Sequence, residues 1–480
     1  MVPAYFCVVR KKKNIVLRNV TVEAYAAEGK SLARQEGKVV FIEKVVPGDV
    51  VDVQVTKSKK DWAEGHPIFF HSFSKERVEP FCQHFGVCGG CQWQMLPYEQ
   101  QLVFKQQQVM DNLTRIGKVS LPPFEPIAGA QQTGFYRNKL EYTFSTKEYL
   151  PPGTFSKDDR ARGERSVVGF HAKGFFDKVV AVEKCWLQDD LTNAIRNTIR
   201  DYAYEKGLTF YDIRAHVGFL RTMQVRICTT GEVMVNIVLG DESEKKRNAL
   251  LAFVQQAFPQ ITTLLYTINV KMNDSMHDLD PQVYAGPGYV IEQLEDFRFK
   301  IGPKSFFQTN TAQGAELYRI TREFAALDGS QVVYDLYCGT GSIGIFCSRG
   351  AKKIVGVEMI AAAIDDAREN AALNGIAHTH FAAGDVIEVC DDAFFATHGR
   401  PDVIITDPPR AGMHEKLVRK ILDMEAPIVV YVSCNPATQA RDLALLDEKY
   451  AVTRVRPVDM FPHTHHIENV VQLTLKSPVT

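Results

Sequence analysis

An α/β fold built on a doubly wound, Rossmann-like parallel sheet, preceded by a mixed α+β region and a small β barrel, is what three observations in this sequence predict. From about residue 330 onward, apolar strand-length segments alternate with helical ones, the pattern of a parallel sheet covered on both faces. The first of those strands, residues 331–336, runs into Tyr337-Cys338-Gly339-Thr340-Gly341-Ser342-Ile343-Gly344, a glycine turn of the kind that joins strand to helix in such sheets. Near the other end, residues 39–55 read as short strands around a Pro47-Gly48-Asp49 turn, with Val51, Val53 and Val55 alternating with Asp52 and Gln54. At 480 residues the chain exceeds one ordinary core, so these signals belong to separate domains.

Taken in chain order, the alternation at 51–55 predicts a half-buried sheet, apolar on one face and wet on the other. Gly29, Gly37 and basic clusters at 10–13 and 57–60 flank it. Residues from about 10 to 78 resemble a TRAM domain, an OB-like barrel that members of that family use to hold RNA. Residues 98–116 predict a Gln-rich helix ended by Gly117. A strand-rich region follows, and at 150–166 Pro151, Pro152, Gly153 and Gly163 among many charges predict a long surface insertion. Without internal repeats or low-complexity tracts, the expected division is a barrel over 1–78, a central domain over 79–304 and the α/β domain over 305–480.

Lys and Arg number 56 against 57 Asp and Glu, a net charge of -1, so a polyanionic partner must be met by local patches such as 10–13 and 57–60. Ten cysteines are too sparse for a disulfide-stapled fold, and three of them fall within residues 82–91, which points to ligation in a reducing compartment. The apolar residues 1–9 precede their lysines instead of following them, and no apolar run reaches membrane-spanning length. A cytoplasmic monomer without membrane contact is expected.

The glycine turn lies beside Glu358, at the tip of the next strand, residues 354–357. Glycines let the backbone approach a ligand, and a carboxylate there accepts hydrogen bonds from ribose hydroxyls. Gly339, Gly341 and Gly344 match the dinucleotide fingerprint, so an NAD(P)-dependent oxidoreductase is one reading. Asp335, Gly384-Asp385 and Asp407-Pro408-Pro409, each following a predicted strand or ending one, resemble instead the motif series of class I S-adenosylmethionine-dependent methyltransferases. In that class such acids hold the methionine amino group, the ribose and the adenine in turn.

Residues 428–432 predict a buried strand that delivers Ser433-Cys434-Asn435-Pro436 to its carboxyl end, the edge where ligands bind in open α/β sheets. A lone cysteine is usually a packing residue. Beside a methyl donor it has a use: uracil C5 is too weak a nucleophile unaided, and thiolate addition at C6 converts the ring to an enolate that C5 can use for attack. A thiol of pKa about 8.5 is only a few per cent ionised near pH 7, so neighbours must activate it. Release then needs a base to take the C5 proton. Glu468, in His463-Thr464-His465-His466-Ile467-Glu468-Asn469 ahead of the apolar stretch 470–475, is the candidate; no second ligand cluster spaced for zinc accompanies the histidines.

With Ser305-Phe306-Phe307-Gln308-Thr309-Asn310 and Asp407-Pro408-Pro409-Arg410 added to these motifs, nearly the whole chain resembles the RNA 5-methyluridine methyltransferases. The resemblance implies Cys434 as nucleophile and Glu468 as base, with Gln308, Tyr337, Ser342, Glu358, Asp385 and Asp407 at positions that bind S-adenosylmethionine. Ser342 and Asp385 stand where asparagine is common in relatives. Tyr136-Arg137-Asn138-Lys139 is similar to a further family segment, which implies an RNA or active-site contact for Arg137.

Cys82, Cys88, Cys91 and the distant Cys185 supply four thiolates, a number that suits tetrahedral zinc or a cubane iron-sulfur cluster equally. The Cys88-Gly89-Gly90-Cys91-Gln92-Trp93 context resembles the iron-sulfur branch of the family, which implies a 4Fe-4S cluster that shapes the RNA-binding region without changing redox state. That branch acts on 23S ribosomal RNA, so this RNA, free or in a ribosome assembly intermediate, is the implied partner. A tRNA uracil-5-methyltransferase is the alternative within the family, and a non-catalytic RNA-binding protein the alternative outside catalysis. The target uridine must leave its stack to reach Cys434, which unpaired loops make easier than helices.

Overall fold

The computed structural model describes residues 15–151 and 165–477; the basic cluster at 10–13 and most of the expected insertion at 150–166 lie outside the described residues. The chain divides into two compact units, residues 1–81 with 92–104, and residues 82–91 with 105–480.

In the first unit, β1 (Val16–Thr21), β2 (Ala24–Tyr25), β3 (Ser31–Gln35), β4 (Lys38–Ile42), β5 (Val50–Ser58) and β6 (Trp62–Ser72) form a sheet in the order β1-β5-β6-β4-β3-β2, antiparallel except where β4 meets β6. Val20, Val40, Ile42, Val51, Val53 and Ala63 make its core. Asp49 closes the Pro47-Gly48-Asp49 turn from inside: its buried carboxylate accepts Val46 N at 2.7 Å, Ser74 N at 2.8 Å and Arg77 Nη2 at 2.8 Å. The alternation fails at Asp52, expected on the wet face yet buried. Hydrogen bonds from His71 (2.8 Å), Asn19 N (3.0 Å) and Arg18 replace its water and hold its carboxyl well below the usual carboxylate range. Lys57, Lys59 and Lys60 are exposed where β5 turns into β6, with Lys57 Nζ 4.8 Å over the Trp62 ring.

The Gln-rich helix Tyr98–Asn112 runs on through a wider turn, Leu113–Gly117. Lys118, in a left-handed conformation (φ 53°), stops it rather than Gly117. Gly117 answers a different need, since a Cβ there would lie 3.3 Å from Ala440 O in the helix Pro436–Leu446.

A second sheet contains β7 (Lys139–Ser145), β8 (Val167–His171), β9 (Val179–Ala181), β10 (Leu220–Ile227), β11 (Val233–Leu239), β12 (Thr263–Ile268) and β13 (Gln282–Ala285), in the order β13-β12-β11-β10-β7-β8-β9. Helices Asp190–Glu205 and Glu244–Ala257 bury Ile195, Ile199, Leu250 and Val254 against its Val225 and Ile237. A two-stranded ribbon, β14 (Val290–Leu294) and β15 (Phe297–Ile301), sends Phe297 and Phe299 into the core that also holds Val333 and Ile354 of the third sheet.

The third sheet contains β16 (Val332–Leu336), β17 (Lys353–Glu358), β18 (Thr379–Ala383), β19 (Val403–Thr406), β20 (Ile428–Ser433), β21 (Tyr450–Val458) and β22 (Glu468–Leu475), in the order β18-β17-β16-β19-β20-β22-β21. All pairs are parallel except those made by β22. Val333, Ile354, Ile405 and Val430 enter one core while Tyr334, Val355, Ile404 and Val429 enter the other. Both faces are therefore dry, which is why these strands read as unbroken apolar runs. The chain builds outward from β16 to β18 and then returns to β19 on the other side, making a topological switch point beside β16. Among the described residues no helix is long and apolar enough to cross a membrane.

Candidate active site

At the end of β16 the chain turns through Tyr337, whose φ of 62° is left-handed. Buried Asp335 holds this turn from below, its Oδ2 accepting Gly344 N at 2.8 Å. A Cβ on Gly344 would lie 2.9 Å from that same oxygen, so only glycine permits the approach. Asp335 Oδ1 is buried without a hydrogen-bond partner, and burial pushes the carboxyl up to about 7. A Cβ on Gly339 would meet nothing within 4 Å, so the loop borders open space. Glu358, ending β17, accepts Gly339 N at 3.2 Å and Ile360 N at 3.0 Å, which aims its carboxylate at the loop. Ser342 opens the next helix and shares a hydrogen bond of 2.9 Å with Tyr318 OH. Asp385 caps the short helix after β18 by accepting Ile387 N at 2.8 Å.

Asp407 directly follows β19 and Cys434 directly follows β20. Ser433 pairs with Asn469 of the antiparallel β22, so one further step of that register sets Cys434 beside Glu468. Asn435 accepts Ala437 N at 3.2 Å, capping the helix Pro436–Leu446, and donates Nδ2 to Arg410 O at 3.0 Å. It thereby ties the loop after β19 to the loop that carries the thiol. Burial, with repulsion from Glu468 and Asp407, pushes the half-buried Cys434 thiol up to about 11, while Arg410 opposes the rise. Burial and Asp407 likewise raise the Glu468 carboxyl well above its usual range, again against Arg410, and burial raises Asp407. Cys434 and Glu468 thus share one guanidinium, and they and Asp407 are held toward their protonated forms. A cation entering this edge would favour all three ionised forms. Nearby, His463 and His466 are pushed down by burial to about 4 and about 3, and His466 Nδ1 lies 3.4 Å from Arg410 Nη2.

Gln308 precedes the helix Thr311–Ala325 and is buried. Its carbonyl accepts Asn138 Nδ2 at 2.9 Å, and that amide also donates to Thr311 Oγ1 at 2.9 Å. Tyr136 OH donates to Pro462 O at 3.0 Å, and the Arg137 guanidinium lies 4.9 Å over the Phe461 ring with its Nε buried and unpartnered. The segment 136–138 therefore joins the Gln308 turn and the turn ahead of Glu468. Under the latter sits a fully buried ion pair, Lys105 Nζ to Asp459 Oδ1 at 2.6 Å, with the same ammonium donating to Phe461 O at 3.0 Å. Sequence reasoning assigned no role to Arg410, Asn435, Tyr318 or this pair. Asn435 had a readable signal, an amide just before Pro436 at a helix start; Lys105 and Asp459, 354 positions apart, had none.

Cys82, Cys88, Cys91 and Cys185 are half-buried and form no disulfide. Burial pushes Cys88 up to about 11, and the Cys185 and Cys82 sulfurs add to the rise. Cys88 bridges Ala172 just past β8, and Gly89 N donates to His171 O at 3.2 Å. Asn193 clamps Cys185, accepting its N–H at 2.8 Å and donating to its carbonyl at 3.1 Å. Among the described residues, no three His, Cys, Asp or Glu side chains are arranged to hold a metal ion.

Residues 283–476 match the tRNA (uracil-5-)-methyltransferase family profile, and residues 17–68 match the TRAM domain. An uncharacterized RNA methyltransferase of Bacteroides thetaiotaomicron is 53% identical over 454 residues, covering 94% of this chain and 100% of that protein. Another from Porphyromonas gingivalis is 49% identical, covering 93% and 98%. Among solved structures, the Pyrococcus abyssi tRNA (uracil-54, C5)-methyltransferase in complex with S-adenosyl-L-homocysteine aligns over 95% of this chain and 100% of its own, with a TM-score of 0.73 and 26% identity. With the seven-stranded sheet, its glycine turn and the six-stranded N-terminal sheet already described, these likenesses establish that the chain belongs to the RNA (uracil-5-)-methyltransferase family and is an S-adenosylmethionine-dependent RNA methyltransferase with an N-terminal TRAM domain.

Proposed function

We propose that this enzyme methylates carbon 5 of a uridine in 23S ribosomal RNA through a covalent bond between Cys434 and C6. The observation that carries the reading is the register of β20 and β22, which brings Cys434 and Glu468 together at the edge bearing the glycine turn. The orphaned Asp335 Oδ1 and the open space at Gly339 suit a bound S-adenosylmethionine, with Gln308, Tyr337, Ser342, Glu358, Asp385 and Asp407 around it. When bound, that molecule supplies an electrophilic methyl group. Cys434 Sγ, once deprotonated, adds to C6 and pushes the ring electrons toward O4, leaving C5 able to attack the methyl. Glu468, as carboxylate, then takes the C5 proton, and elimination returns the Cys434 thiolate. Arg410 is the chain's own counter-charge for both acids.

A second reading, transfer RNA as substrate, is favoured by the likeness to the archaeal enzyme acting on tRNA uracil 54. Mapping 5-methyluridine in 23S and transfer RNA with and without this protein separates them: a site in 23S RNA that depends on the protein is expected, and one confined to transfer RNA overturns the first reading.

Cys82, Cys88, Cys91 and Cys185 are further proposed to hold a 4Fe-4S cluster. The support is the donor chemistry: Cys88 feels both Cys82 and Cys185, and as thiolates the four cysteines would be relieved of mutual repulsion by cationic iron. Anaerobically purified protein should be brown with about four irons per chain. Stoichiometric zinc without inorganic sulfide would refute the assignment. For the barrel, replacing Lys57, Lys59 and Lys60 with alanine should weaken RNA binding and flatten its salt dependence, because each phosphate contact contributes to the slope. An unchanged slope in a filter-binding series removes these lysines from the interface.

A further inference from the structure

Between β8 and β9 the chain reverses through Lys173-Gly174-Phe175-Phe176, four consecutive exposed residues. Phe176 is 62% exposed and turns a phenyl ring to water, and Phe175 beside it is 41% exposed with its ring packed on Tyr149, centroids 5.3 Å apart. A cation attends each ring: Lys178 Nζ lies 5.1 Å from the Phe175 centroid and the Arg214 guanidinium 5.1 Å from that of Phe176. The acid of the turn, Asp177, is buried and accepts Arg214 Nε at 2.6 Å, so it presents little negative charge outward.

The base of this turn is firmly held. Ala172 N donates to Lys178 O at 3.0 Å and Phe175 N to Ala172 O at 3.0 Å. From below, Cys88 bridges Ala172, and a Cβ on Gly89 would lie 2.9 Å from His171 O, so the cysteine loop packs too closely there for any residue but glycine.

We propose that this turn is a stacking clamp for unpaired nucleotides of the RNA substrate. Phe176, with Phe175 beside it, receives base faces, while Lys173, Lys178 and Arg214 attend the phosphates. Aromatic faces interleaved with cations, and the one acid withdrawn, match a single-stranded polyanion that carries its own π faces. Such contacts place the RNA without choosing the uridine, which remains the task of the pocket at Cys434. The cysteine loop then acquires a reason for its position, since it sets the height and angle of the clamp. The inference rests on RNA being the substrate of this enzyme, not on which RNA it is.

The test uses the full-length holoenzyme and a single-stranded oligouridylate. The Phe175→Ala/Phe176→Ala double variant should bind it about 10- to 100-fold more weakly with an unchanged salt slope, since stacking is lost and no phosphate contact is. Phe176→Trp should keep or improve binding, and Arg214→Ala should flatten the salt slope. S-adenosylmethionine affinity should stay at its wild-type value, and Phe176→Ala alone, which leaves the Phe175–Tyr149 contact in place, should keep the wild-type thermal midpoint while still weakening oligouridylate binding. Ultraviolet cross-links should fall within residues 173–178. Wild-type affinity in the double variant, or cross-links that avoid the turn, overturns the clamp, as it would if the turn served a protein partner. If 23S RNA is not methylated while oligouridylate affinity still depends on Phe176, the substrate assignment fails and the clamp stands.

Discussion

Glu468→Gln is expected to cut turnover by about 10²- to 10⁴-fold and to leave methylated RNA joined to the protein, whereas Cys434→Ala is expected to abolish both methyl transfer and any covalent species. The two variants fail at opposite ends of the reaction. Without Cys434 the ring is never activated, though S-adenosylmethionine still binds. Without the Glu468 carboxylate, C5 accepts its methyl but keeps its proton, and the carbon–sulfur bond cannot be released. The electrostatics of the site sharpen the contrast. Glu468 is one of the groups whose repulsion, after burial, pushes the Cys434 thiol up to about 11. Glutamine removes that charge, so the pH midpoint for alkylation of Cys434 by iodoacetamide should move down even as turnover falls. The trapped species should appear as a slow band in denaturing gels that needs both Cys434 and the methyl donor. Normal turnover, or no adduct while RNA and cofactor bind, would reassign the base and turn attention to His465 or His466.

Asp335→Asn is expected to make the protein more stable at neutral pH and to weaken S-adenosylmethionine binding by about 10- to 100-fold, the usual cost of losing a hydrogen bond to a charged group. Burial raises the Asp335 carboxyl from 3.8 to about 7. The folded state therefore holds this proton more tightly than the unfolded chain does. Its contribution to stability is full below about pH 4 and is lost progressively as the pH rises to about 7, a change of about 4 kcal/mol for this group. Asparagine keeps an acceptor for Gly344 N but cannot ionise, so the decline assigned to residue 335 should vanish. Asp407 and Glu468 are also raised, so the measurement is the difference between the unfolding profiles of the two proteins from pH 4 to 8. Parallel profiles would show that Asp335 does not titrate in this range.

The sequence by itself determined the parts of this protein whose physics is local. Strands β16, β17, β19 and β20 were legible because a sheet dry on both faces needs continuous apolar runs. The turn after β16 was legible because a close backbone approach such as that of Gly344 to Asp335 admits no side chain. The Ser433-Cys434-Asn435-Pro436 segment announced a strand end followed by a helix start, and both are there. Only the tertiary structure decided what depends on partners far along the chain. Asp52 stands where its strand's alternation predicts the wet face yet is buried, because Arg18, Asn19 and His71 converge on it. Lys105 and Asp459 neutralise each other in the core, which neither could do alone. That Cys434 faces Glu468 follows from the antiparallel return of β22, a register that no local pattern encodes. Periodicity states which face a residue prefers; whether a charge is buried there, and which acid meets which thiol, is set by the long-range pairing that supplies its hydrogen bonds and counter-charges.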